Sequence, residues 1–402
     1  MLLLSGQVVS FIGDQVQDLA LPLVVLAITG SPTQAGIVLG LNTVAFIVFG
    51  PVAGAFADRW NRKTTMIWCE VCRGLLTASV VLALVLDALV VPHLYVVAVL
   101  TGMLTTLFHS ANTAALPNIV RATQVPAALG QMQAVANTIR IIGASVAGLV
   151  YALGRAVPFV VNTVSFFLSA LSLKFIRTEF QQERPAEAEE PASGRRGLTG
   201  EIREGLAWAW RQPVVRFLTL VRAADNLRYG AGYLLIIMLA TNVGANPFEI
   251  GVVFSGAAIG GLMGSVLASR VVNRFPLGKL AATMLWVEAL TFPLYAVAPN
   301  VVTLAVVALA ESVIAPIYTV AMNSYQLTIT PDFLQGRVTS AVGTVTFGAL
   351  SIGTILGGIL LAMIDPQIMV LLWSGWLVIL AVATTTNKAV RRAPIAVTAA
   401  AT

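Results

Sequence analysis

The chain has 402 residues, of which 57 % are hydrophobic and only 10 % charged, and its mean hydropathy is +0.87. A soluble fold draws about a quarter of its residues from charged types, and 24 Lys and Arg with 18 Asp and Glu cannot supply that skin, which excludes a soluble protein, a disordered chain and a fibrous repeat. The net charge of +6 implies no nucleic-acid partner, because the basic residues lie between apolar segments and not on one polar face.

About 20 apolar residues cross a bilayer. Apolar windows bounded by charge, Pro or Gly predict twelve helices, at roughly 5–28, 34–56, 64–86, 94–116, 128–153, 156–176, 214–240, 248–269, 278–298, 301–325, 337–363 and 367–386. Met1 to Leu4 give no basic flank and the first apolar stretch continues as a span, so a cleaved signal peptide is not expected. Alternate loops hold Arg59, Arg62, Lys63, Arg121, the stretch Lys174 to Arg216, Arg270, Arg274, Lys279, Arg337, Lys388, Arg391 and Arg392, and the others only Arg155. Basic loops stay in the cytoplasm, which predicts both termini there and a multi-pass protein of the plasma membrane.

Residues 177–213 read as a cytoplasmic linker between an N-terminal bundle, 1–176, and a C-terminal bundle, 214–386, followed by a tail at 387–402. Glu183, Pro185, Glu187, Glu189, Glu190 and Pro191 are too polar for lipid, whereas Leu198, Ile202, Leu206 and Trp210 recur at helical spacing. That end is either a helix lying along the membrane surface or a solvated connector. Similar features recur about 210 residues apart: Gly54 with Gly264, Asn112 and Leu116 with Asn323 and Leu327, Gly143 and Gly148 with Gly353 and Gly358. Two homologous six-helix bundles about a pseudo-twofold axis are the architecture of a rocking transporter.

The loop after the second helix, Gly54-Ala-Phe-Ala-Asp58-Arg59-Trp-Asn61-Arg62-Lys63, resembles the signature loop of the major facilitator superfamily. Asn61 replaces a Gly there, and Asn tolerates the left-handed backbone that the Gly would supply. Gly13-Asp14, Leu21-Pro22, Thr29-Gly30-Ser31, Phe49-Gly50-Pro51, Phe108-His109, Leu116-Pro117 and Gly336-Arg337-Val338 are similar to its drug:proton antiporter branch, which contains macrolide-efflux proteins and a siderophore exporter. The resemblance implies an all-α membrane fold of twelve transmembrane helices in two six-helix bundles. It also implies a cytoplasmic latch in which Gly54, Asp58, Arg59 and Arg62 meet the start of helix eleven at Gly336 and Arg337, where a helix dipole favours an anion. Arg59 and Arg62 equally fit plain positive-inside residues. Only one such latch is expected, since Ala268 and Ser269 stand where the second copy would be. Helix five keeps Arg140, Gly143 and Gly148 but lacks the Pro common in antiporters; with Gly353 and Gly357 of helix eleven, its glycines offer a small-residue surface for close helix packing.

An ionisable group within a span costs about 2.5 to 3.5 kcal/mol on insertion scales. The acids within the predicted spans are Asp14, Asp18, Glu70, Asp225, Glu288 and Glu311, and the bases Arg73, Arg140, Arg222 and Arg228. Family analogy places helices one, four, seven and ten at the cavity, making Asp14, Asp18, Asp225 and Glu311 the proton-coupling candidates. Asp14 and Asp18 share a helix face four residues apart, where mutual repulsion favours a held proton; alternatively Asp14 neutralises Arg140. Arg222, Asp225 and Arg228 either satisfy one another or leave Arg222 for an anionic substrate. Glu70 and Arg73 form an i, i+3 pair, and Glu288 has no partner nearby in sequence.

Phe46, Phe108, Trp286, Phe292 and Tyr318 could supply apolar surface for a ligand, with Phe108, Tyr318 and Arg222 as the substrate-cavity candidates. Cys69 and Cys72 lie inside an apolar helix and read as small buried side chains before redox groups. Two histidines are too few for a metal site, and no P-loop glycine pattern occurs, so no cofactor is expected and energy comes from a gradient, which the antiporter resemblance implies is one of protons, or transport is passive. The expected function is secondary active export of a hydrophobic or amphipathic drug-like molecule by a monomer; the alternatives are an exporter or flippase of an endogenous siderophore, lysolipid or natural product, and a membrane thiol enzyme.

Overall fold

Short polar residues set the helix starts. Ser31, Asn61, Asn246, Asn300 and Asp365 each cap a helix by accepting a backbone N–H from the following turn, and Asn246 and Glu249 close a full capping box. Pro32, Pro247 and Pro366 occupy the first helical position, where their missing N–H costs nothing.

The computed structural model describes residues 2–119, 125–176, 180, 198–331 and 334–391. Arg121, the linker acids Glu183 to Glu190 and the tail from Arg392 lie outside them, as do the side chains of Phe46, Asp58, Leu116 and Pro117. Two compact units emerge, Met1–Arg195 and Arg196–Thr402. The first contains α1 (Leu2–Thr29), α2 (Pro32–Arg59), α3 (Arg62–Val85), α4 (Val91–Ile119), α5 (Val125–Leu153) and α6 (Val157–Phe175). The second contains α7 (Leu198–Arg211), α8 (Pro213–Asn242), α9 (Pro247–Val272), α10 (Leu277–Thr291), a 3-10 turn (Phe292–Tyr295), α11 (Val301–Ser312), α12 (Ile314–Ile329), α13 (Gln335–Leu361), α14 (Pro366–Thr386) and α15 (Lys388–Arg391). Among the described residues every element is helical, and ten segments are long and apolar enough to cross a membrane. The other two expected spans fall on α5, whose Thr138–Leu153 is a shorter apolar helix, and on α8, which carries Arg222, Asp225 and Arg228 along its middle.

Two predicted spans are interrupted, each by a proline. Pro316 lacks an N–H, and its ring crowds the carbonyl four residues earlier, at Ser312, where α11 ends and α12 begins. Pro293 likewise converts the end of α10 into the 3-10 turn.

Close approach within each unit is made by small residues. In the first, Gly102 of α4 faces the Asn42 carbonyl of α2, which a Cβ would meet at 2.6 Å, and Gly6 and Gly13 of α1 seat Ser172, Ser165 and Asn162 of α6. In the second, Gly256, Gly260 and Gly264 run along α9 against the backbone from Ala305 to Val313, and Gly230, Gly353 and Gly357 bring α8 and α13 together. Large apolar side chains such as Leu153, Leu290 and Met363 remain more than two-thirds exposed on the helices, as a lipid-facing surface requires.

Helix α7 packs on α13. Its Gly205 abuts the Arg337 carbonyl, Glu204 accepts from Arg337 Nη1 at 2.8 Å, and Ala209 is fully buried in a core that includes Val215, Leu277, Met322 and Val338. Trp210 of the apolar stripe packs against the same core; the side chains of Leu198 and Ile202 lie outside the described residues.

Candidate functional site

The first unit encloses a cavity of about 280 Å³ lined by side chains of α1 to α6, among them Asp14, Asp18, Arg73, His109, Arg140 and Phe166. Asp14 and Asp18 reach it together because they lie about one turn apart on α1. Arg73 enters from α3 and donates Nη2 to both carboxylate oxygens of Asp14, each at 2.8 Å. The guanidinium also lies over the Phe166 ring at 4.1 Å, a cation–π contact that holds a planar cation away from water. Behind it, Glu70 is fully buried, accepts from Ser169 Oγ at 2.9 Å and faces Arg73 Nη1 at 3.7 Å. Asn162 of α6 donates to Gln17 at 2.8 Å and to Asp14 at 3.5 Å. Polar residues of α3 and α6 thus support one carboxylate of α1 at the cavity wall.

The second unit is built around Arg228 of α8. Its Nε donates to Asp225 at 2.9 Å, Nη1 donates to Glu311 of α11 at 2.7 Å, and Nη2 stands 3.7 Å from Glu288 of α10. Phe292 lies beneath the guanidinium at 4.7 Å, and Tyr295 donates its hydroxyl to the far oxygen of Glu311 at 3.0 Å. Pro293 positions both aromatic rings by ending α10 in the 3-10 turn, a role its ring geometry dictates. Beside this cluster lies a small cavity of about 70 Å³, lined by Arg222, Asp225, Asn226, Glu288, Tyr318 and Thr319 among others. Arg222 donates to Thr319 at 3.4 Å, and Tyr318 to the Leu218 carbonyl at 3.4 Å.

Among the described residues no group of three or more His, Cys, Asp or Glu is arranged to hold a metal ion. Both cysteines are free thiols, Cys69 in the packed core and Cys72 half-buried.

Residues 3–224 match the family model described as the Major Facilitator Superfamily. The chain belongs to the Major Facilitator Superfamily. Among superfamily relatives, the multidrug efflux pump Tap of Mycolicibacterium fortuitum is 28 % identical over 375 residues, covering 89 % of this chain and 88 % of the relative. Macrolide efflux protein A of Streptococcus pyogenes is 24 % identical over 368 residues, covering 88 % and 87 %. The fold is that of solved transporters: the nucleoside transporter NupG superimposes with a TM-score of 0.72 at 14 % identity over 97 % of this chain and 99 % of that one. A bacterial homologue of the iron transporter ferroportin in an inward-facing state gives 0.73 at 16 % identity over 96 % and 98 %. These relatives and neighbours are transporters, and the superfamily chain described here is a membrane transporter, not an enzyme.

Several residues stand differently from their sequence reading. The partner of Asp14 is Arg73 and not Arg140; Arg140 lines the same cavity from α5, exposed. The stripe Arg222, Asp225, Arg228 is not self-satisfied, because Arg228 takes Asp225 while Arg222 turns to Thr319. Glu288 finds the counterion it lacks in sequence, and Arg228 of a different helix supplies it. Phe108 packs in the core with Met66, Cys69 and Ala111, and the next residue, His109, faces the cavity, one helical step of about 100° around α4. Phe292 serves Arg228, and Trp286 bonds Thr385; Tyr318 and Arg222 share the second unit's cavity.

In the signature loop the backbone at Asn61 departs from expectation. Asn61 sits at φ −63° and ψ 112°, extended and not left-handed, because it caps α3 by accepting Thr64 N–H at 3.0 Å. Arg62 donates to the Ala114 carbonyl at 2.8 Å and Lys63 to the Ile176 carbonyl at 2.6 Å, placing both cations near carbonyl-rich helix ends. Arg59 is exposed, Asp58 falls in the last turn of α2, and nothing crowds Gly54, unlike its counterpart Gly264. Gly336 is exposed, and Arg337 pairs with Glu204 of its own unit. Gly148 is buried, Gly143 faces the Gln15 side chain of α1, and Gly353 and Gly357 face α8, so the same pair of helices is involved in each unit. Arg73 is the cavity residue whose partner sequence reasoning misses: its spacing makes it half of a local pair with Glu70, whereas its side chain reaches Asp14 of α1 and the cavity wall.

Proposed function

We propose that this transporter exports a hydrophobic or amphipathic drug-like molecule from the cytoplasm in exchange for protons, by alternating access, as a monomer of the plasma membrane with both termini cytoplasmic. The observation that carries the reading is the first unit's cavity, where two carboxylates of one helix face, Asp14 and Asp18, line the wall and Arg73 binds one of them. A carboxylate open to a cavity and held by a buried cation can exchange the cation for a proton, and that exchange is the elementary step of coupling. The names of the relatives, a multidrug efflux pump and a macrolide efflux protein, support the drug-like cargo. Asp225 and Glu311 supply a second acidic cluster, and the Arg222 and Tyr318 cavity a polar wall for the cargo.

The reading is tested in everted vesicles loaded by an imposed proton gradient, with ethidium, erythromycin and tetracycline as probes. Uptake of at least one probe that collapses with a protonophore supports it, and uptake indifferent to the gradient for every probe overturns proton exchange. A susceptibility profile with and without the gene that moves only for siderophores or lipids would replace the drug-like cargo by an endogenous one.

A further inference from the structure

Glu70 is fully enclosed, yet only one of its carboxylate oxygens is bonded. Oε1 accepts from Ser169, whereas Oε2 is buried without a hydrogen-bond partner and faces Arg73 Nη1 at 3.7 Å. Arg73 Nε is also buried and unbonded. The guanidinium, with five donors in a planar fork, spends Nη2 on Asp14 and keeps an unused edge. It therefore hydrogen-bonds one carboxylate and holds another at ion-pair distance without a hydrogen bond.

The second unit repeats this arrangement with different residues. Arg228 bonds Asp225 and Glu311, while Glu288 stands 3.7 Å from Nη2 with Oε2 buried and unbonded. Glu70 lies on α3 and Glu288 on α10, the third membrane-length helix of its unit in both cases. The arginine comes from α3 in one unit and from α8 in the other, so what recurs is a glutamate with one buried, unbonded oxygen beside an arginine already committed elsewhere.

We propose that Glu70 is the alternate partner of Arg73 in the coupling cycle, a role that rests on the reading of α1 as the proton-carrying helix. A hydronium ion from the cavity gives its proton to the Asp14 carboxylate and leaves as water; Asp14 becomes the neutral acid, and Arg73, protonated throughout, turns its free edge to ionised Glu70. The trio of Arg73, Asp14 and Glu70 holds one excess negative charge before the proton enters and none afterwards. A buried guanidinium is never left without a counterion, which is the costly state for such a pair. The groups facing Asp14 are Asp18 of α1, Arg73 and Glu70 of α3, His109 of α4 and Arg140 of α5; α2 and α6 present Asn42 and Asn162, which do not titrate. Cys69 lies one turn below Arg73 in the core.

The test compares the full chain with Glu70→Gln in proteoliposomes, using ethidium. Efflux driven by a proton gradient should fall by about tenfold or more, the scale of a lost coupling free energy, while ethidium affinity and ethidium counterflow, which needs no net proton movement, stay at the unaltered level. Unimpaired gradient-driven efflux by Glu70→Gln overturns the proposal, and so does a parallel loss of counterflow and affinity, which marks a purely structural residue. If Glu70→Gln yields too little folded protein, Glu70→Asp is read in its place, since it keeps the charge but withdraws it by one methylene, and the same split is expected. The Asp14→Asn, Asp18→Asn double variant separates the two levels. Loss of proton release in it, together with intact Glu70→Gln coupling, sinks the partner exchange alone, and full proton release in it sinks the helix α1 reading and the exchange together.

Discussion

Arg73 of α3 holds Asp14 of α1 across 59 positions of sequence, with Nη2 2.8 Å from both carboxylate oxygens. Replacing Arg73 by Met removes the cation that faces Asp14 and Glu70 together and should cost roughly 3–5 kcal/mol, the usual penalty for breaking a buried pair. Asp14→Asn should cost clearly less, because Glu70 stays within 3.7 Å of the arginine. Thermal unfolding of the purified variants in one detergent checks the order; an equal loss in both would show that Glu70 does not compensate.

Arg228 should be the most sensitive charged position of the second unit. It is the shared partner of Asp225, Glu311 and Glu288 and the cation over Phe292. Arg228→Met should abolish folded yield, whereas Glu311→Gln, which retains the Tyr295 contact and the arginine's other acids, should lower the melting temperature only modestly. Size-exclusion profiles of fluorescent fusions distinguish the two outcomes.

The glycines divide into tight and open positions. A methyl group at Gly353 or Gly230 would run into the Leu227 or Leu350 carbonyl, so Ala at either should force α8 and α13 apart. Ala at Gly343 of α13, where nothing lies within 4 Å, should leave melting temperature and transport unchanged. A well-folded Gly353→Ala protein with unaltered transport would contradict the packing described.

The helix order is legible because apolar windows of bilayer length need no tertiary information, whereas the break at Val313, inside one predicted span, shows only in the structure, where Pro316 accounts for it. Pairing is not legible. Asp14 could reach Arg140 or Arg73 on sequence grounds, and only the packing of α6 against both α1 and α3 decides for Arg73, with Asn162 and Gln17 alongside. Glu288 has no visible partner for the same reason, its counterion lying 60 positions earlier on α8. Asn61 is open to misreading because the family Gly draws attention to backbone handedness, when an Asn directly before a helix start is also a capping signal. Phe108 and His109 are adjacent in sequence and face opposite environments, a distinction that depends on knowing which side of α4 meets α3.

Asn61→Ala should lower stability by about 1 kcal/mol through loss of the cap on α3, and Asn61→Gly by only a few tenths. Chemical or thermal unfolding of the two variants side by side measures this, and a stabilised Asn61→Gly protein would restore the left-handed turn.

The docking of α7 on α13 decides where this polypeptide can be cut. Although α7 precedes the first membrane-length helix of the second unit, its Glu204, Gly205 and Ala209 are spent on Arg337 and the core around Val338. Two fragments expressed from separate genes should therefore reassemble into an active transporter when the break falls near residue 190, and fail when it falls at Gln212, which leaves the α7 peptide on the wrong fragment, tied to its seat by no covalent bond. A gene-fission boundary for this chain lies ahead of Leu198, and an accessory helix that looks like tether in the sequence is inherited with the half it precedes.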